Sequence, residues 1–181
     1  MKENKKTLLH KIIVAVQIIF IISLACVLYL GLELDPNSTK FALHDKPAYE
    51  FSLPQLRDRN KQISLTELKG KPLVLNFWAS WCDNCKSEAE HLEAFWQHHK
   101  AEVNVLGIAV QDLQEAALGL ATQLGKSYPL ALDSDGKMGV QFGVTGVPET
   151  FFIDAEGKIK DRIVGPVSLA VLEQKLAQIT K

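Results

Sequence analysis

The chain has 181 residues and a formal net charge of −1 at pH 7. That length holds one ordinary domain plus a targeting segment, and the near-neutral balance gives no sign of a nucleic-acid partner. With only three cysteines the chain cannot supply a four-cysteine zinc site.

Lys2, Lys5, Lys6 and Lys11 precede an almost uncharged apolar run from Ile12 to Leu32, and Glu33 and Asp35 follow it. About twenty apolar residues span a bilayer as a helix, and a signal-peptide core is shorter. Lysines on the near side place residues 1–11 in the cytoplasm, 12–32 in the membrane and the remainder outside. Ser23-Leu24-Ala25 has the small-x-small pattern of a signal-peptidase site, but the apolar run continues past it. With Cys26 it faintly resembles a lipoprotein box whose leucine stands one place too late. Cys26 therefore reads as a small membrane-helix residue. The Asn37-Ser38-Thr39 sequon would matter only in a glycosylating secretory pathway.

Residues 33–48 form a polar connector with Pro36 and Pro47, and a single domain is expected over 49–181. Tyr49–Leu53 alternates as a half-buried strand should, with Gln62–Ser64 as its hairpin partner across Asp58-Arg59-Asn60. Leu65–Leu68 reads as a helical turn ended by Gly70. Leu73–Trp78 is nearly all apolar, the pattern of a central strand covered on both faces. A helix follows to about His98, since Cys85, Ala89, Leu92 and Trp96 recur at helical spacing.

Val103–Val110 is a second buried strand. Leu113, Ala116, Ala117, Leu120 and Leu124 mark a second helix, with Gly125 at its C-cap position. Leu130–Leu132 is a short strand and Met138–Phe142 a brief helix. Thr150–Ile153 and Ile159–Val164 are strands joined by the turn Asp154–Gly157. Val167–Ile179 closes the chain as an amphipathic helix with Val171, Leu172, Leu176 and Ile179 inward. Asp133-Ser134-Asp135-Gly136 is a turn: a calcium loop would need oxygen ligands where Ala131 and Phe142 stand.

The chemistry concentrates in Trp81-Cys82-Asp83-Asn84-Cys85. Only a thiolate attacks a disulfide, and the N–H groups at a helix start favour an anion. Cys82 at the first turn gains that stabilisation, while Cys85, one turn deeper, gains less. Cys82 is then the attacking sulfur and Cys85 the resolving one. Asp83 opposes the effect by like charge. A zinc site would have to recruit His91, His98 or His99, and no spacing joins them to the pair. A structural disulfide would close too small a loop to constrain the unfolded chain. An anchor that puts CxxC outside a bacterial cytoplasm makes the pair reactive rather than structural, because no second pair exists to suggest a stapled fold.

The order of elements is that of thioredoxin. The stretch Asn76–Cys85 (NFWASWCDNC), together with Gly143–Asp154 (GVTGVPETFFID), resembles the membrane-anchored thioredoxin-like TlpA/ResA/DsbE group. The glutamate after Pro148 looks most like the DsbE (CcmG) family, thiol:disulfide interchange proteins of cytochrome c maturation. The resemblance covers roughly 49–181 plus the anchor. It implies an α/β, thioredoxin-like fold with an N-terminal β-hairpin extension, preceded by one transmembrane helix. It also implies a cis Pro148 that faces the CxxC and exposes the Val147 backbone to an extended substrate. Trp81 would flank the exposed sulfur as contact surface. Glu88 and Glu149 would tune the thiols, by desolvation or by like charge. Asn84 departs from the proline many relatives carry, and this dipeptide tunes the potential.

The implied function is a single-pass protein of the bacterial inner membrane with its catalytic domain in the periplasm. It would take electrons from a membrane thiol reductase of the DsbD type and reduce disulfides of apocytochrome c or its handling proteins. No cofactor is implied, and no haem, since Lys86 follows Cys85 where a haem-attachment motif needs histidine. A general periplasmic oxidase or isomerase shares the chemistry and differs in direction. A peroxiredoxin would not need the CxxC pair. A copper-delivery protein of related fold would space its cysteines by three residues, with a distal histidine that is not evident.

Overall fold

The computed structural model describes residues 2–32 and 42–180. Glu33, Asp35, Pro36 and the Asn37-Ser38-Thr39 sequon lie outside the described residues. The chain divides into two units, residues 1–39 and 40–181. The first is helix α1 (Lys2–Leu32). Its stretch His10–Tyr29 is long and apolar enough to cross a membrane. Its 20 residues correspond to about 30 Å of helix, the thickness of a bilayer core.

The second unit is built on a five-stranded sheet, ordered β5-β4-β3-β6-β7. The strands are β3 (Leu73–Trp78), β4 (Asn104–Val110), β5 (Leu130–Asp133), β6 (Glu149–Ile153) and β7 (Ile159–Val164). Strands β3, β4 and β5 run parallel, while β6 is antiparallel to β3 and β7 to β6. Every residue of β3 is buried, as its unbroken apolar run requires of a strand covered on both faces. Alternation along the strands sorts the core. Val74, Trp78, Val105, Ala109 and Phe152 face one side. Leu75, Phe77, Leu106, Ile108 and Phe151 face the other.

The first side is covered by α4 (Ala89–His99), α5 (Gln114–Gln123) and α7 (Leu169–Ile179), through Leu92, Phe95, Ala117, Ala121, Leu172 and Leu176. The second is covered by α6 (Lys137–Phe142) and by the hairpin of β1 (Ser52–Pro54) and β2 (Gln62–Ser64). The hairpin register is Ser52 opposite Ser64 and Leu53 opposite Ile63. It runs into α2 (Leu65–Leu68), which Ser64 and Glu67 cap reciprocally in a capping box. Residues at the end of the connector are tied to the β6–β7 turn: Asp45 N–H donates to Ile159 C=O and Ala48 N–H to Gly157 C=O.

Two sequence expectations need correction. The CxxC helix is not continuous: α3 (Asp83–Ser87) and α4 meet at Glu88, which leaves the helical ladder there. The apolar spacing crosses this junction without a break, and the Glu88 side chain turns inward there, as described below. In α5 the buried residues are Ala117 and Ala121, whereas Leu113 and Ala116 are exposed. A helix lying close on a sheet buries small side chains and leaves larger ones at the rim. Gly125 does follow α5, at φ +65°, a conformation glycine adopts without steric cost.

Candidate active site

The segment between β3 and α3 is held from the β4 end. The buried carboxylate of Asp112 accepts the Ser80 N–H and, at 2.8 Å, the Ser80 hydroxyl. The Trp81 indole N–H donates to Gln111 C=O at 3.3 Å. These bonds present Cys82 at the N-cap of α3, where its Sγ accepts the Cys85 N–H at 3.1 Å. Cys82 and Cys85 are joined as a disulfide. The difference in exposure between them is narrower than expected: Cys82 is 6% exposed and Cys85 fully buried. Trp81, by contrast, is 60% exposed beside them.

The loop before β6 meets the cysteines. The Val147–Pro148 bond is cis, and the Val147 carbonyl oxygen lies 3.4 Å from Cys82 Sγ. Between this loop and Trp81 runs a groove of about 250 Å³, also lined by Val110, Gln111, Val140 and Val144. Trp81, Cys82, Val147 and Pro148 thus meet at one end of the sheet, as the motifs require.

Glu88 sits one turn beyond Cys85 and is buried. Its Oε1 accepts from Asn76 Nδ2 at 2.8 Å and its Oε2 from the Val167 N–H at 3.1 Å. Asn76 Nδ2 also donates to Thr150 Oγ1 at 3.1 Å, across the β3–β6 pairing. The side chain is therefore drawn inward by donors from β3 and from the entry to α7, and the helix breaks above it. Burial pushes the Glu88 carboxyl up to about 7, against the pull of Asn76, Val167 and the Lys126 ammonium.

Glu149 lies on the other face of the sheet, opposite Phe77 and in alternation with Phe151. Its Oε2 accepts the Thr145 N–H at 3.2 Å and its Oε1 pairs with Arg162 Nη1 at 3.3 Å. Burial raises its carboxyl, and Thr145 and Arg162 pull it back down. The structure does not bring the two glutamates together.

Four contributors escaped the sequence reading. Asn76 was legible in principle, as the one amide in a strand buried on both faces. Asp112, Thr150 and Lys126 carried no such signal. His99 hydrogen-bonds to Glu173 rather than approaching the thiols. Among the described residues, no three His, Cys, Asp or Glu side chains converge on a metal position.

The comparisons fit this geometry. The AhpC/TSA family matches residues 45–162. The thiol:disulfide interchange protein DsbE of Allochromatium vinosum is 40% identical over 159 residues, covering 87% of each chain. The protein of the same description from Pseudomonas aeruginosa is 37% identical, over 89% of this chain and 88% of its own. Among solved structures, a thiol:disulfide interchange protein of the thioredoxin family from Chlorobium tepidum superposes with a TM-score of 0.67 at 27% identity. The match covers 78% of this chain and 99% of that one. By fold, by motif and by relatives, the chain belongs to the AhpC/TSA family and, within it, to the thiol:disulfide interchange proteins of the DsbE type.

Proposed function

We propose that this chain is a membrane-anchored thiol:disulfide oxidoreductase that reduces protein disulfides in the bacterial periplasm during cytochrome c maturation. One observation carries the reading. Cys82 caps the start of α3 within hydrogen-bond reach of the Cys85 N–H, and its sulfur lies 3.4 Å from the Val147 carbonyl beside a cis proline. The DsbE relatives support the chemistry and the pathway, and the apolar helix with lysines at its start supports a single-pass anchor in the inner membrane.

In the reduced form the Cys85 N–H that now meets Cys82 Sγ favours a thiolate there. The Cys82 thiolate attacks one sulfur of the partner's disulfide. The partner's other sulfur leaves with the electron pair and takes a proton. Glu88 then receives the proton of the Cys85 thiol, and the Cys85 thiolate attacks Cys82 Sγ. The Cys82–Cys85 bond forms, the mixed disulfide breaks, and the partner's second sulfur leaves and is protonated. Two electrons pass to the partner, and a membrane thiol reductase of the DsbD type restores the dithiol. A carboxyl near 7 is suited to the transfer at neutral pH.

The partner is apocytochrome c or a protein that handles it. It lies extended against the Val147 backbone, as an added strand, with Trp81 and Pro148 as contact surface. Glu149 acts indirectly, by fixing the Thr145–Pro148 loop through the Thr145 N–H.

Replacing the resolving thiol tests the reading. A Cys85→Ala chain expressed in its native host should accumulate disulfide-linked adducts on non-reducing gels, and Cys82→Ala should not. The adducts should contain maturation components and the membrane reductase. A broad set of secreted proteins without them would make the chain a general oxidase or isomerase instead.

A further inference from the structure

Gln111 follows the last residue of β4 and stands at φ +47°, in the left-handed region. Glycine takes that region without steric cost and asparagine or aspartate often enters it, whereas a longer side chain seldom does. A turn with no further duty would carry one of those residues. The conformation is held through both backbone groups: the Gln111 N–H donates to Asp133 C=O at 2.9 Å, and the Gln111 C=O accepts the Trp81 indole N–H at 3.3 Å. The side chain then lies across Gly136, itself at φ +71°. A Cβ on Gly136 would stand 2.8 Å from Gln111 Cγ and 3.1 Å from Nε2, and would displace the glutamine. The carboxamide so placed makes no hydrogen bond to the described residues. Gln111 lines the groove together with Trp81, Val140, Val144 and Val147.

We propose that Gln111 is a specificity-determining residue for protein disulfides: its Nε2 donates to a main-chain carbonyl of the partner that lies extended in the groove. The inference rests on the reading that places this partner along Val147. The groove leads to the reacting sulfur, since Val147 forms part of its lining and holds its carbonyl oxygen 3.4 Å from Cys82 Sγ. An extended chain turns the N–H and C=O groups of successive residues to opposite edges. A partner bonded to Val147 along one edge therefore sends its next carbonyl toward the other wall of the groove, where Trp81 and Gln111 stand. That carbonyl loses water there and needs a donor. Val110, Val140 and Val144 have none, the Trp81 N–H is spent on the Gln111 C=O, and Thr145 belongs to the same loop as Val147. The Gln111 carboxamide meets the need. It selects by main chain, so an extended protein segment gains from it and a small disulfide does not. Exchange itself proceeds at Cys82 and Cys85 as described above.

The test gives two disulfides to the full, reduced chain in detergent. One is a linear peptide whose single cysteine is disulfide-linked to mercaptoethanol. The other is hydroxyethyl disulfide, which carries the same small thiol and has no main chain. Gln111→Met keeps the length of the side chain and removes its donor. KM for the peptide should rise about fivefold, as the loss of one hydrogen bond predicts, with kcat unchanged. Hydroxyethyl disulfide should be reduced at the original rate. The same rise in KM should appear in a Trp81→Ala background, because Gln111 binds the partner and does not act by placing the indole. An unchanged peptide KM, equal slowing of both disulfides, or an effect that vanishes without Trp81 overturns the inference and leaves the proposed function standing. Failure of the unaltered chain to reduce the peptide overturns both. Should Gln111→Met fail to fold, Gln111→Asp takes its place: aspartate tolerates positive φ, and its carboxylate accepts hydrogen bonds but donates none. The peptide KM must rise there too, and an unchanged value overturns the inference equally.

Discussion

The two faces of the central sheet each bury one glutamate and treat it differently. On the face under α6 and the hairpin, Glu149 has a guanidinium 3.3 Å away, and the Phe77, Phe142 and Phe151 rings of that face meet one another at centroid distances of 5.3–5.6 Å. On the face under α4 and α7, Glu88 has an amide, a peptide N–H and an ammonium that lies against rings. Burial raises both carboxyls. At Glu149 a close guanidinium and a peptide N–H oppose burial, whereas at Glu88 neutral donors and a more distant ammonium do. Under the proposed function the second environment is the useful one, because a group that titrates near neutrality can take and return a proton. The proposed function thus divides the faces: one carries packing and loop anchoring, and the other carries chemistry.

The sharpest way to break that division is to remove a ring from the packing face. Phe151→Ala deletes a fully buried side chain from the aromatic triad and should cost about 3–5 kcal/mol. Denaturant unfolding of the full chain in detergent should show that loss, while the pH profile of thiol alkylation in the folded fraction stays unchanged. A moved profile would mean that the faces are coupled and the division is wrong.

Legibility from sequence followed the same division. The apolar face announces itself: Leu73–Trp78 reads as a central strand because double-sided burial leaves an unbroken apolar run. The cysteine pair and the loop around Pro148 are equally plain, since each needs specific residue types at fixed spacing. Charged residues that turn inward left no such trace. Lys126 follows a helix-ending glycine, where a lysine normally reaches solvent, yet it folds back to place its ammonium 3.7 Å from the centroid of the Trp78 ring. Glu88 kinks its helix through bonds to Asn76 and Val167, 12 and 79 residues away in sequence, which no local pattern encodes. The assignment of Glu88 came from resemblance, and its geometry came from the fold.

A second experiment sharpens the contrast through pH. Burial lifts the Glu88 carboxyl from 4.5 to about 7, so the folded chain binds this proton more tightly than the unfolded chain does. The resulting stabilisation is fully present below pH 4.5 and is lost as pH rises through 7. Its size is about 3 kcal/mol, from 1.36 kcal/mol per unit. Stability of the oxidised chain should therefore carry a downward component across that window, and Glu88→Gln should remove it. An unchanged slope in Glu88→Gln would show that the carboxyl titrates as an ordinary surface group.

The smallest effect on stability belongs to the residue that faces outward from both. Trp81 is 60% exposed and tied down by one hydrogen bond, from its indole N–H to Gln111 C=O. Surface substitutions of this kind stay within about 0.5 kcal/mol, so Trp81→Ala should unfold at nearly the same denaturant concentration as the unaltered chain. Its place on the groove beside Val147 gives it a different role, as apolar surface for an extended partner. Reduction of a small-molecule disulfide, which reaches only the sulfur, should proceed at nearly the original rate. Reduction of a disulfide within a peptide that can lie along Val147 should slow several-fold, by loss of one aromatic contact worth about 1 kcal/mol. Comparing the two substrates on one variant separates contact from chemistry. Equal slowing of both would assign Trp81 to the thiols themselves, and slowing of neither would leave it a plain surface residue.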